Sequence, residues 1–272
     1  MIARLFKSPT VTPVRRRARA PEDAVVWVIG DIHGTADLLR TLLAGIGEDL
    51  ERAARSRRVL ICLGDYIDRG PDSRGVLDSL IAFARDPAVE AHFLRGNHED
   101  RMEAFLIDPE VGPGWCDYGG RETLGSFGLI PPARNASREV WAAVSAGLNQ
   151  ALSSEHRSFL AAQEHSLTLG DFFFAHAGAE PGVPLNRQDP QQLMWIRRRF
   201  TDHPDPFEKM IIHGHTPVSD VHADHRRIAV DTGAYATGVL SALRLSGEDR
   251  SLLQAVRAGT SIDLRRRTLG DA

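Results

Sequence analysis

Apolar residues along this chain fall into short blocks of two kinds. Ala24–Ile29 and Val59–Leu63 are almost entirely apolar. Runs of that length without polar alternation predict strands buried on both faces. Leu38, Leu39, Leu42, Leu43 and Ile46 recur instead at helical intervals and predict an amphipathic helix over Leu38–Leu50. The same order returns twice, with Arg74–Arg85 as the helix after Val59–Leu63, and Glu99–Ile107 as the helix after a strand at Glu90–Leu94. Three such units in series imply α/β construction.

From residue 109 the rhythm changes. Residues 109–132 are rich in glycine and proline, and Arg138–Gln163 carries Val140, Trp141, Val144 and Leu148 at helical spacing. Residues 109–163 therefore read as an inserted cap of loop and helix. Beyond the cap, strands resume without helices between them, at Ser166–Leu169, Phe172–Ala175, Lys209–Ile212, Arg227–Val230 and Val239–Leu245. This suggests a second, partly antiparallel sheet. The folded domain is expected over residues 23–265, preceded by a mobile basic tail at 1–22 that carries Arg15, Arg16, Arg17 and Arg19.

Composition narrows the class. Hydrophobic residues make up 42% of the 272 and charged residues 25%, the proportions of an ordinary soluble globular protein. Cys62 and Cys116 lack metal or redox spacing, so a reducing, cytoplasmic setting is expected. A net charge of −3 argues against nucleic acid as a partner. No apolar run approaches the roughly 18–20 residues that span a bilayer, and the basic tail lacks the apolar stretch of a secretory signal.

Five polar clusters stand immediately after apolar strands. They are Gly30-Asp31-Ile32-His33-Gly34, Gly64-Asp65-Tyr66-Ile67-Asp68-Arg69-Gly70, Gly96-Asn97-His98-Glu99, His176-Ala177-Gly178 and His213-Gly214-His215-Thr216. Strand ends are where open α/β sheets place ligands, and the glycines permit sharp turns that aim neighbouring side chains at one point. Any one cluster alone reads as a turn, a helix cap or a core histidine. All five in series point to a site. Asp, His and Asn without thiolate suit manganese, iron or zinc better than an all-oxygen magnesium or calcium site. Two adjacent ions of that kind serve in-line phosphoryl displacement.

In order, GDxHG, GDxxDRG, GNHE, a single His and GH, these motifs resemble the phosphoprotein phosphatase branch of the calcineurin-like metallophosphoesterases. The likeness covers Gly30–Thr216, and Val230-Asp231-Thr232-Gly233-Ala234 is similar to the bacterial and phage members. The resemblance implies two facing sheets flanked by helices. It also implies two divalent ions, manganese first and iron or zinc as alternatives. Asp31, His33 and Asp65 would hold one ion, and Asp65 would bridge to a second held by Asn97, His176 and His215. Pro217 stands where other branches carry a further histidine. Water between the ions, deprotonated near neutral pH, would attack phosphorus in line. Arg69, and Arg197 of the Trp195-Ile196-Arg197 segment, would clamp the phosphate. His98 would protonate the leaving group, with Asp68 orienting it. His213 stays outside the metal set.

The activity so implied is hydrolysis of phosphoserine and phosphothreonine in proteins, with phosphotyrosine or a small phosphoester as further substrates. The alternative is a dinucleoside polyphosphate hydrolase. Tyr118-Gly119-Gly120-Arg121-Glu122-Thr123-Leu124 resembles a segment of both groups, and Trp115, Tyr118 and Phe127 in the cap would be its stacking surfaces.

Overall fold

A computed structural model describes residues 17–53 and 56–270. The expected basic tail falls mostly outside them. Of its last residues, Ala18 and Ala20 pack on the core, and Ala20 donates its N–H to the carbonyl of Gly247 at 2.9 Å.

Eleven strands form two sheets among the described residues. The first has the order β11-β10-β9-β1-β2-β3. It contains β1 (Ala24–Ile29), β2 (Arg57–Cys62), β3 (Glu90–Phe93), β9 (Val239–Ser246), β10 (Asp249–Ala258) and β11 (Ser261–Thr268). The second has the order β4-β5-β6-β8-β7, from β4 (Ser166–Leu169), β5 (Phe172–Ala175), β6 (Met210–His213), β7 (His222–Ala223) and β8 (Arg227–Ala229). Strands β1 to β3 run parallel, as do β5, β6 and β8, whereas β4 and β9 to β11 pair antiparallel. Both sheets are therefore mixed.

Alternation along β1 sorts its side chains. Val26 and Val28 join Val59, Ile61, Phe172, Phe174, Ile212 and Ile228 in a core between the sheets. Trp27 and Ile29 face the opposite way, into a core shared with the helices α1 (Ala36–Arg52), α2 (Ser73–Phe83) and α3 (Asn97–Ile107). A strand buried on both faces needs apolar residues at every position, and β1 has them. Each such buried side chain contributes about 1.5–3 kcal/mol, so the strands that carry the polar clusters are the most firmly held parts of the chain.

The cap differs from its sequence reading in one respect. The single helix expected over 138–163 is two, α6 (Arg138–Ala151) and α7 (Ser154–Ala161). Ser153 separates them, its hydroxyl accepting the N–H of His156 at 3.1 Å, as an N-cap does. Trp141, Ser145 and Leu148 form the buried face of α6, and Val140 lies off it, 46% exposed. Two short helices, α4 (Gly112–Trp115) and α5 (Arg121–Ser126), bring the front of the cap over the strand ends. None of the helices among the described residues is long and apolar enough to cross a membrane.

Candidate active site

The polar clusters follow β1, β2, β3, β5 and β6, and the turns that carry them are strained. Among the described residues five non-glycine positions have positive φ, namely His33 (46°), Asp65 (50°), Asp68 (72°), Arg69 (66°) and His215 (63°). Each costs about 1–3 kcal/mol, and every one belongs to the set picked out from the sequence. The glycines make room for these turns. A Cβ on Gly70 would stand 2.0 Å from the carbonyl oxygen of His33, and one on Gly214 would stand 2.0 Å from Oδ1 of Asp31.

The turns converge on one carboxylate oxygen. Asp65 Oδ2 lies 3.5 Å from His33 Nε2, 3.4 Å from His176 Nε2 and 3.9 Å from His98 Nε2. His176 Nε2 is in turn 3.0 Å from Asn97 Oδ1 and 3.2 Å from His215 Nδ1. Backbone carbonyls fix two of the rings. His33 Nδ1 donates to Ile67 O at 2.8 Å and His176 Nδ1 to Leu63 O at 3.0 Å, so Nε2 of each ring turns inward. Asp31 accepts the N–H of His215 on both oxygens, at 3.0 and 3.2 Å.

The electrostatics of this cluster call for cations. Burial, with the nearby charges of Asp231 and Asp65, raises the Asp31 carboxyl well above its ordinary range. Burial pushes His33 down to about 3 and His215 down to about 2. Their rings are neutral, and the Nε2 lone pair of His33 faces the Asp65 carboxylate. Burial alone would lower His176 too, but Asp65 outweighs it and raises the ring. Neutral imidazoles, carboxylates and an amide oxygen gathered around a shared Asp fit divalent ions of the borderline kind. Two groups, His33 with Asp65 and His98, and Asp65 with His176 and His215, have donor atoms all within 4.8 Å of one another.

Beside the cluster stands a hydrogen-bonded histidine–aspartate pair. His98 Nδ1 donates to Asp68 Oδ2 at 2.7 Å. Burial disfavours the imidazolium, but Asp65 and Asp68 together raise His98 above its ordinary value. Arg69 Nη2 lies 3.1 Å from His98 Nε2. The arginine thus donates to the ring nitrogen that faces Asp65.

Two contacts behind this pair are not evident in the motifs. Glu99 accepts four backbone N–H groups, from Asp65 and Gly96 at 3.0 Å, Tyr66 at 2.8 Å and Ile67 at 3.3 Å. Burial and Asp65 push its carboxyl up to about 7, while those amides favour the ionised form. The β2 turn is thereby fastened to the start of α3. Asp68, fully buried, is held by the cap. Trp115 Nε1 donates to Oδ2 at 2.8 Å and the Thr123 hydroxyl to Oδ1 at 2.6 Å. Thr123→Val keeps the shape and removes the donor. It is expected to lower stability by about 1–3 kcal/mol, read by denaturant titration, and to slow alkyl phosphate turnover about tenfold with metal content unchanged. Unaltered turnover would show that the cap does not orient Asp68.

Arg197 stands between α8 (Pro190–Trp195) and α9 (Arg198–Thr201). It lines a cavity of about 580 Å³ together with Arg69, Asn97, His98 and Tyr118. The three expected stacking residues divide. Trp115 is 2% exposed with its N–H on Asp68, and Phe127 is buried in the core. Tyr118, 71% exposed, is the one left at the surface, because a residue whose polar edge finds a buried partner turns its ring inward. His213 Nε2 accepts from Arg227 at 3.0 Å and its ring meets Phe200 edge-on, which keeps it outside the metal cluster. Arg199 pairs with Glu180 at 2.5 Å. Sequence reasoning gave no role to Asp231, which is buried with its carboxyl raised to about 6 by burial and by Asp65. Its signal was present, a Val-Asp-Thr-Gly run at the end of β8.

The fold and this cluster define a metallophosphoesterase. The sequence pattern of the calcineurin-like phosphoesterase family matches residues 24–240, and the chain belongs to that family. It is 25% identical over 244 residues to the bis(5'-nucleosyl)-tetraphosphatase PrpE of Halalkalibacterium halodurans, covering 80% of this chain and 88% of that one. It is 38% identical over 86 residues to serine/threonine-protein phosphatase 1 of Salmonella typhimurium, covering 32% of this chain and 35% of that one. Among solved structures, the cold-active protein-tyrosine phosphatase of a psychrophilic Shewanella superposes with a TM-score of 0.53 at 18% identity, over 93% of this chain and 83% of that one.

Proposed function

We propose that the chain hydrolyses phosphate esters of aliphatic alcohols, foremost phosphoserine and phosphothreonine in peptides. In this reading Asp31, His33, Asp65, Asn97, His176 and His215 hold two divalent ions, manganese before iron or zinc. When bound, such ions polarise the phosphoryl group and make water nucleophilic near neutral pH. The chain's own residues supply the rest. Arg69 and Arg197 grip the phosphoryl oxygens through their planar forks. His98 delivers a proton from Nε2 to the leaving oxygen, and Asp68 steadies the charge on the ring. The free thiols of Cys62 and Cys116 fit a cytoplasmic setting.

The observation that carries this reading is the 2.7 Å bond between His98 and Asp68. An alkoxide is a poor leaving group and needs that proton, whereas the phosphate expelled from an anhydride is already a stable anion. A second reading, hydrolysis of dinucleoside polyphosphates, is favoured by the arginine-lined cavity and by the activity named for the Halalkalibacterium relative. The comparison to make is kcat/KM of manganese-loaded protein on a phosphoserine peptide and on diadenosine tetraphosphate, side by side. The peptide is expected to be the better substrate. A much larger value on the nucleotide would replace the first reading by the second.

A further inference from the structure

Arg101 lines the same cavity as Arg69 and Arg197. It sits on α3, three residues beyond His98 and four beyond Asn97. That spacing places it on the same helix face, roughly 5–6 Å further along the axis. No carboxylate lies within ion-pair distance of it among the described residues. Glu110, which lines the same cavity, is paired instead with Arg138 at 3.4 Å. What holds Arg101 is an aromatic face. Its guanidinium carbon is 5.1 Å from the centroid of the Trp195 ring. A cation resting on a ring keeps its N–H donors free. The same indole meets the ring of His215 edge-on, with centroids 6.4 Å apart, so the platform is in register with the metal cluster.

In the reading above, Arg69 and Arg197 already serve the phosphoryl group itself. A third guanidinium, one helical turn away and without a carboxylate, calls for another anion on the same substrate. In a polyphosphate the adjacent phosphoryl group is one bridging oxygen from the first, closer than a helical turn, and only the group after it spans that distance. A peptide advances about 3.3 Å per residue, so an acidic side chain one or two residues from the phosphorylated position reaches the required distance. We infer that Arg101, seated on Trp195, is a specificity-determining subsite that selects phosphopeptides with an aspartate or glutamate flanking the phosphorylated residue. The inference rests on the phosphopeptide reading above.

The test uses three phosphoserine peptides identical except for Asp, Asn or Lys at the flanking positions. Wild-type protein is expected to turn over the Asp peptide about fivefold more efficiently than the Asn peptide, as an exposed ion pair allows, with the margin shrinking in high salt. Arg101→Gln should erase that margin and Arg101→Glu should shift preference to the Lys peptide. Equal kcat/KM on all three peptides in wild type, or an acidic preference that survives both substitutions, would overturn the subsite while leaving phosphopeptide hydrolysis intact. No turnover of any peptide, with diadenosine tetraphosphate hydrolysed, would remove the phosphopeptide reading and the subsite together.

Discussion

Asp65→Asn is expected to abolish phosphoester hydrolysis without unfolding the protein. Asp65 is common to both candidate ligand groups, and three imidazole nitrogens lie within 3.9 Å of its Oδ2. Burial opposes its ionisation, yet the rings of His176, His98 and His33 prevail and hold the carboxyl well below its ordinary range. Asparagine has the same size but no charge to bridge two cations. A loss of several kcal/mol of transition-state stabilisation corresponds to roughly a thousandfold or more in kcat/KM. In metal-free protein the same change also removes a charge that His176, His98 and His33 hold favourably in the folded state. Stability without metal should therefore fall modestly at neutral pH, while the increase in Tm that manganese gives wild type should vanish. Metal analysis and thermal melts with and without manganese check this apart from activity. A variant that still gains stability from metal and still turns over substrate would leave the shared-aspartate site without support.

His98→Asn should separate chemistry from metal binding. Its ring reaches Asp68 through Nδ1 and presents Nε2 beside Arg69, so its loss deletes the acid and leaves Asp31, His33, His176 and His215 in place. Turnover of an alkyl phosphate should fall by about 10²–10⁴-fold with metal content unchanged. An aryl phosphate, whose phenolate leaves with less help, should lose far less. Equal losses on the two esters would mean that His98 positions substrate and donates no proton.

Much of this site was legible because ligands and turns are local. Gly30-Asp31-Ile32-His33 and its counterparts carry donor and turn residue within a few positions, each at the end of a run of apolar residues. β1 was read with its observed limits because it is buried on both faces and leaves no ambiguous position. The C-terminal hairpins were not. β10 and β11 follow the last strand expected, and β11 runs to Thr268, past the boundary set at 265. β11 is exposed at seven of its eight positions and charged at four, so it owes its place chiefly to the backbone ladder with β10. A ladder leaves no hydrophobic pattern to read. Arg101, and the bond that turns Trp115 from a stacking surface into a partner of Asp68, escaped for a related reason. Their partners, Trp195 and Asp68, are 94 and 47 positions away in the chain, and no spacing rule joins them. The strained residues are the converse case. His33, Asp65, Asp68, Arg69 and His215 break local preference, and the break falls where function is.

The grip of Trp115 and Thr123 on Asp68 makes the cap a structural member of the reaction centre as well as its roof. A lineage that exchanged the cap wholesale to acquire new substrates would lose the brace behind Asp68 and His98. Innovation is thereby steered outward, to the exposed ring of Tyr118 and to positions such as Arg101, where a side chain can change without slackening anything beneath it.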